Sequence, residues 1–253
     1  SEPEVRAAAA VIGDALGYLP LWNTPRHLVL AERGESVALW ACEHPANPLR
    51  IELHRSFRIE VLGRVLDASD ELRKETIGAC GWEVPGPDAL VRHLLFHAAE
   101  DFAARGLRGV QAVDFHVLSA RRGPLALPDG AAGAGFTPVV LAARAVEKLL
   151  PGTFAAGALE AAEATVRPRV LRRADDVPAL RHSRPERGWT LTALSLADGP
   201  LPALRFLRRT LLPPLDEVKA NVAPEAAGLR LAAAWVRVLI GRVRSAAGRL
   251  LPK

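Results

Sequence analysis

In the stretch NPLRIELHRSF (residues 47–57) a carboxylate, Glu52, lies between Ile51 and Leu53, with Arg50 before it and His54 after it. Alternate side chains of an extended chain leave on opposite sides, so Ile51 and Leu53 point one way and Arg50, Glu52 and His54 the other. An acid on such a strand at the edge of a cleft can bind Mg²⁺ or activate a hydroxyl. The same pattern also describes the wet face of an ordinary sheet. A second constellation sits further on. Helical spacing aligns Leu90, Leu94, His97 and Asp101 on one helix, with His93 a turn before His97. It aligns Leu107, Val110, Asp114, Val117 and Arg121 on the next. Asp114 then falls inside an apolar stripe, where an unpaired charge is costly. His97 on the facing stripe is its expected partner, either as a structural clasp or as a pair reaching substrate.

Other chemistries lack their residues. His93, His97 and His54 are the only histidines that suggest a transition-metal set, and position 94 is Leu where a zinc-protease helix needs Glu. There is no Gly-x-Ser-x-Gly, and Cys42 and Cys80 have neither zinc spacing nor a catalytic context. The glycine-rich GAAGAG (130–135) is not followed by Lys-Ser/Thr, so it is no phosphate-binding loop.

The elements that must hold these residues read as α+β followed by helices. Residues 3–17 have helical spacing and stop at Gly17. RHLVLAER (26–33) and SVALWACE (36–43) flank Gly34–Glu35 as a hairpin, and the Glu52 strand follows a proline-rich turn. Residues 64–83 fit no single pattern. From Pro85 the chain turns helical: one helix starting at an N-cap Asp88 and ending at Gly106, a second over 107–122 that makes a hairpin with it, a loop over 123–135, then helices in TPVVLAARAVEKLL and GALEAAEATV. Residues 167–189, rich in Arg, Pro and Asp, read as exposed and irregular. Two more helices close the chain. The last carries Arg230, Arg237, Arg242, Arg244 and Arg249 opposite an apolar stripe of Leu229, Val236, Ile240 and Val243. Such a helix is either a solvated face or a surface for nucleic acid or an acidic partner.

With 253 residues the chain can bury a real core. Its net charge of +5 favours anionic partners without naming one. The basic residues are nearly all Arg, which suits phosphate but also fits a GC-rich coding bias. Two cysteines make no disulfide scaffold, and no apolar run reaches the roughly 18 residues of a membrane span. A cytoplasmic protein with no membrane partner is expected.

Taken in order, these segments resemble the uncharacterised nucleotidyltransferase-like proteins of the DNA polymerase β nucleotidyltransferase superfamily. ALGYLP is similar to that family's helix before its hairpin, and PRHLVLAERG to its His-bearing strand, here His27. IELHRSF is similar to its acid–Leu–His strand. LLFHAAEDFAARGLRGVQAVDFHVLSA is similar to its helical hairpin, with a His early and an Asp late. The resemblance implies that Glu52 is a metal-binding carboxylate with His54 beside it, that His97 and Asp114 belong to the catalytic set, and that Arg50 and His27 contact the nucleotide. Mg²⁺ and an NTP are the implied cofactors. The implied partners are the nucleotide and an acceptor that is a small molecule, protein or RNA.

This sequence departs from that pattern in several places. It has Asp101 where relatives carry a second His, and Arg55 where they carry an aromatic. It contains no Gly-Ser pair and no Asp-x-Asp or Asp-x-Glu. Two-metal nucleotidyl transfer needs several carboxylates, and one Glu does not supply them. Two expectations follow. In one, the chain is part of a longer enzyme that transfers a nucleotidyl group; in the other, it is a degenerate binding or scaffold module that contacts a protein or nucleic acid. The expected architecture is an incomplete α+β lobe with a mixed, nucleotidyltransferase-type sheet (1–83) and an all-helical domain (84–253).

Overall fold

The computed structural model describes residues 2–23, 27–32, 50–74, 76–79, 82–128, 136–180, 189–212, 215, 218 and 227–250. The chain is α+β, with small antiparallel sheets first and helices after them. It divides into two compact units, one of residues 1–57 and 213–240, the other of residues 58–212 and 241–253. Residue 83, the boundary expected from the sequence, lies inside a strand of the second unit. The second strand of the expected 26–43 hairpin lies outside the described residues.

In the first unit, helix α1 (Glu2–Leu16) ends where Gly17 takes φ +70° and its N–H bonds back to the Gly13 carbonyl at 2.9 Å. Strands β1 (Leu19–Asn23), β2 (His27–Ala31) and β3 (Arg50–His54) form an antiparallel sheet in the order β1-β2-β3. β1 is not among the expected strands. Its Pro20 suits an edge strand, where a missing N–H costs no ladder bond. One face of the sheet packs on α1: Val5, Leu28 and Leu30 are buried, with Ile12, Tyr18, Ile51 and Leu53 against them. Ile51 and Leu53 therefore face the core, as their alternation with Glu52 predicts.

The second unit opens with two hairpins, β4 (Arg58–Val61) with β5 (Arg64–Asp67), and β6 (Thr76–Ala79) with β7 (Trp82–Pro85). Helix α2 (Ser69–Lys74) lies between them. The β4–β5 turn is Leu62-Gly63, with φ of 50° and 73°, so both central residues are left-handed, as a tight hairpin with the sheet's natural twist requires. A Cβ on Gly63 would collide with the Pro202 carbonyl, so the turn is pressed against another segment as well as bent. All described ladders are antiparallel, where a mixed sheet was expected; the two parallel pairings are isolated bridges, Leu107 with Leu180 and Leu125 with Phe154.

The helices are α3 (Pro87–Arg105), α4 (Gly109–Arg122), α5 (Thr137–Leu149), α6 (Ala156–Glu163), α7 (Pro168–Asp175), α8 (Trp189–Leu196) and α9 (Pro200–Leu211). The last helix, α10, runs Gly228–Leu250. Helix α3 is the axle: it packs against α2, β4, α4, α5 and α8. Ala89, Val91, Leu95, Phe96, Ala98, Ala99, Phe102 and Ala103 are all buried, so apolar residues surround it and no single stripe marks its inner side. Residues 168–175, expected to be irregular, form α7. Val170 and Ala174 supply its buried side while Arg169, Arg172 and Arg173 stay exposed, a period of four that the dense charge obscured. On α10 the stripe of Leu229, Val236, Ile240 and Val243 faces outward, at 45–89% exposure, while Ala234 is buried.

Candidate functional site

The β2–β3 register sets the first constellation. His27 pairs with His54, Val29 with Glu52 and Ala31 with Arg50. Directly opposed residues share a face, so these six side chains lie on the side of the sheet away from α1. Val29 is fully buried, so the middle of that face is covered, while Glu52 on β3 has a side chain 52% exposed. The Glu52 Oε2 lies 3.4 Å from His54 Nε2. His54 is held from two sides: its ring stacks on Phe57 at 5.0 Å and lies 5.5 Å from His27. An aromatic thus does follow the acid–Leu–His strand, three positions after His54. Arg55, where the resembled pattern has an aromatic, instead donates from its guanidinium to the Asn23 side-chain oxygen at 2.8 Å.

Chemically this is a carboxylate whose direction is fixed by an imidazole. An Nε2–H of His54 aimed at Glu52 would orient its carboxylate. Mg²⁺ asks for about six oxygen ligands in a tight octahedron. Among the described residues no group of three or more His, Cys, Asp or Glu side chains is placed to hold a metal ion. Glu52 would be at most one ligand of such an ion, and the described side chains do not by themselves complete a resident Mg²⁺ site.

The helical hairpin forms as expected, but with a different polar pair. Asp114 is half-buried and makes no hydrogen bond or ion pair among the described residues, and His97 is not its partner. His97 Nδ1 lies 4.0 Å from Glu100, and its ring meets His93 edge-on at 4.6 Å. The side of α4 that packs inward is Gln111 and Phe115; Val110, Val113 and Val117 are 42–59% exposed. Of the stripe expected to be core, Leu107 is fully buried but Val110, Val117 and Arg121 lie outward.

The buried carboxylate is Asp101. Its Oδ2 accepts from Arg108 Nε at 2.7 Å and from Gln111 Nε2 at 2.8 Å. The Gln111 side-chain oxygen in turn accepts the Arg108 backbone N–H at 2.9 Å and so caps the start of α4. Asp101, standing where the resembled proteins carry a second His, thus closes the hairpin. The signal for this was a Gln at an inward position of α4, since a buried amide demands partners.

A third charged cluster lies between α5, α6 and α7. Arg144 donates from Nη1 to Glu163 at 2.8 Å, and from Nε and Nη2 to the two oxygens of Asp175 at 3.1 and 2.9 Å. The Arg144 hydrogen bond holds the Asp175 carboxyl below its ordinary value of 3.8, against the opposing effect of burial. Arg144 itself, hydrogen-bonded first to Asp175 and then to Glu163, is raised and stays charged. This fork-on-carboxylate geometry ties helices together and presents no group to a substrate.

No described helix is long and apolar enough to cross a membrane. No family model, no curated protein and no solved structure matches this chain.

Proposed function

We propose that the protein is a nucleotidyltransferase-like protein that, in its intact form, transfers a nucleotidyl group from an NTP to an acceptor, with Glu52 as one metal-binding carboxylate. The observation that carries this reading is the β2–β3 register, which turns Glu52, His54 and Arg50 away from the α1 core and leaves Glu52 open. An acid–Leu–His strand serves a transferase only if it is laid out that way. His54 lies against the Glu52 carboxylate, and Arg50 and His27 share its face of the sheet. Among the described residues no group of three or more His, Cys, Asp or Glu side chains is placed to hold a metal ion beside it.

Calorimetric titration of the protein with ATP and with GTP, each with and without Mg²⁺, tests the reading. Saturable binding that needs Mg²⁺ and weakens about tenfold or more in Glu52→Gln is expected, given the cost of losing a charged ligand. Absence of Mg²⁺-dependent binding, or binding indifferent to Glu52→Gln, overturns it. Glu52 is the one carboxylate that β2 and β3 place on this face among the described residues, which favours a second reading: a binding module that keeps the strand and has lost transfer. It predicts that Glu52→Gln leaves cellular function intact.

A further inference from the structure

The second unit holds a groove of about 540 Å³ between the first turns of α3, the last turn of α4 and the segment after it. This is within the size range of small-molecule sites. Arg92, Arg121 and Arg122 line it, together with Asp88, and Leu127 and Pro128 supply apolar surface over the buried Val91 and Leu125. We propose that this groove binds an organic phosphate, a phosphoryl group attached to an apolar or aromatic body.

The charge balance of the described lining is three guanidinium groups against one carboxylate. That carboxylate is a weak competitor. Arg122 Nη1 lies 3.4 Å from Asp88, whose side chain is 93% exposed, and such a pair is worth little in water. Asp88 also stands in the first turn of α3, where the helix dipole favours an anion without help from Arg122. An incoming phosphoryl group can therefore take Arg122 at small cost. Arg121 is exposed and makes no hydrogen bond or ion pair among the described residues. Guanidinium forks match phosphate oxygens two at a time, which a Lys cannot do.

The apolar side is built and fixed. Gly123, at φ +80°, ends α4 with its N–H on the Ser119 carbonyl at 2.9 Å. Leu125, 4% exposed, is then clamped by two backbone hydrogen bonds: its N–H to the Thr153 carbonyl at 2.7 Å, and the Ala155 N–H to its carbonyl at 3.0 Å. Pro124 and Pro128 restrict the backbone on either side. Val91, 5% exposed, is fixed on α3. Cationic groups thus stand beside a rigid apolar surface, the combination that separates an organic phosphate from the bare ion.

The test is calorimetric titration of the full chain with 1-naphthyl phosphate and with inorganic phosphate. Naphthyl phosphate is expected to saturate and to bind about tenfold tighter or more, as burial of an aromatic ring implies. The double variant Arg121→Glu/Arg122→Glu is expected to lose about tenfold or more for naphthyl phosphate, by charge reversal at the contact. Arg121→Gln alone, which breaks no described contact, is expected to lose severalfold and serves if the double variant does not fold. Leu127→Asp should remove the naphthyl advantage. Arg169→Glu/Arg172→Glu on α7 and Glu52→Gln should leave both affinities unchanged, and the latter keeps this result separate from the transferase reading. No saturable binding of naphthyl phosphate, equal affinity in the Arg121 variants, or an equal loss from the α7 variant overturns the proposal.

Discussion

Gln111 and Asp101 meet across the α3–α4 turn at 2.8 Å, and the same carboxylate oxygen takes the Arg108 guanidinium at 2.7 Å. With Asp101 only 8% exposed, these two donors keep its charge tolerable in the core of the second unit. Asp101→Ala is expected to cost about 2–3 kcal/mol, because it strands a buried amide and removes the anchor of Arg108. Urea unfolding followed by circular dichroism measures it. A double-mutant cycle with Gln111→Ala should give a coupling of about 1 kcal/mol or more, and a coupling near zero would refute the clasp.

Asp114, by contrast, is expected to be dispensable for folding. Asp114→Ala should shift stability by no more than about 0.5 kcal/mol, the usual range for a position without special contacts. The same unfolding assay checks it. A loss of several kcal/mol would mean that the carboxylate has a partner after all.

Gly63 is constrained twice, by its left-handed φ of 73° and by the Pro202 carbonyl where a Cβ would go. Gly63→Ala should therefore destabilise by more than about 2 kcal/mol. Gly78→Ala, where nothing lies near the added methyl and φ is ordinary, is the control and should cost much less. Thermal melts of the two variants side by side decide the matter.

The Arg144 cluster predicts an acid limb. Asp175 is depressed in the folded state by its Arg144 hydrogen bond, so the native chain binds its proton less readily than the unfolded chain. The resulting stability is present above the ordinary carboxylate value and is lost as pH falls through the folded one. At pH 7 Asp175→Asn should be less stable by about 0.5–1 kcal/mol, a modest figure because the pair is partly solvated. The difference should shrink below about pH 4 and vanish in stronger acid. Denaturant melts from pH 7 to pH 2.5 read the curve directly, and a pH-independent difference would mean that the Arg144 hydrogen bond does not set the Asp175 ionisation.

The sequence was legible where one face of an element is packed and the other is wet. Ile51 and Leu53 alternate with Glu52, and the sheet's two sides follow; Gly17 and Gly123 stop α1 and α4 where a left-handed residue is needed. It misled where that condition fails. Helix α3 is surrounded by neighbours, so its periodicity names no inner face. On α4 a Gln occupies the inward position and three valines lie outside, because Asp101 needs the amide more than the core needs a methyl group. The Arg121–Arg122 pair before Gly123-Pro124 was visible as residues, but its groove depends on Leu125 being bonded to Thr153 and Ala155, far along the chain. No local pattern carries that.

Those distant ties have a kinetic meaning. Helix α4 is moored at both ends to chain made later: Leu107 by its N–H to the Ala179 carbonyl, Leu125 to Thr153 and Ala155. On a ribosome the helix would emerge well before its moorings exist, and could only linger, loosely coiled, until residue 180 clears the exit tunnel. Its docking then follows the making of residue 180, and a stalled nascent chain ending before Phe154, carried clear of the tunnel by a C-terminal linker, should still offer α4 to a protease.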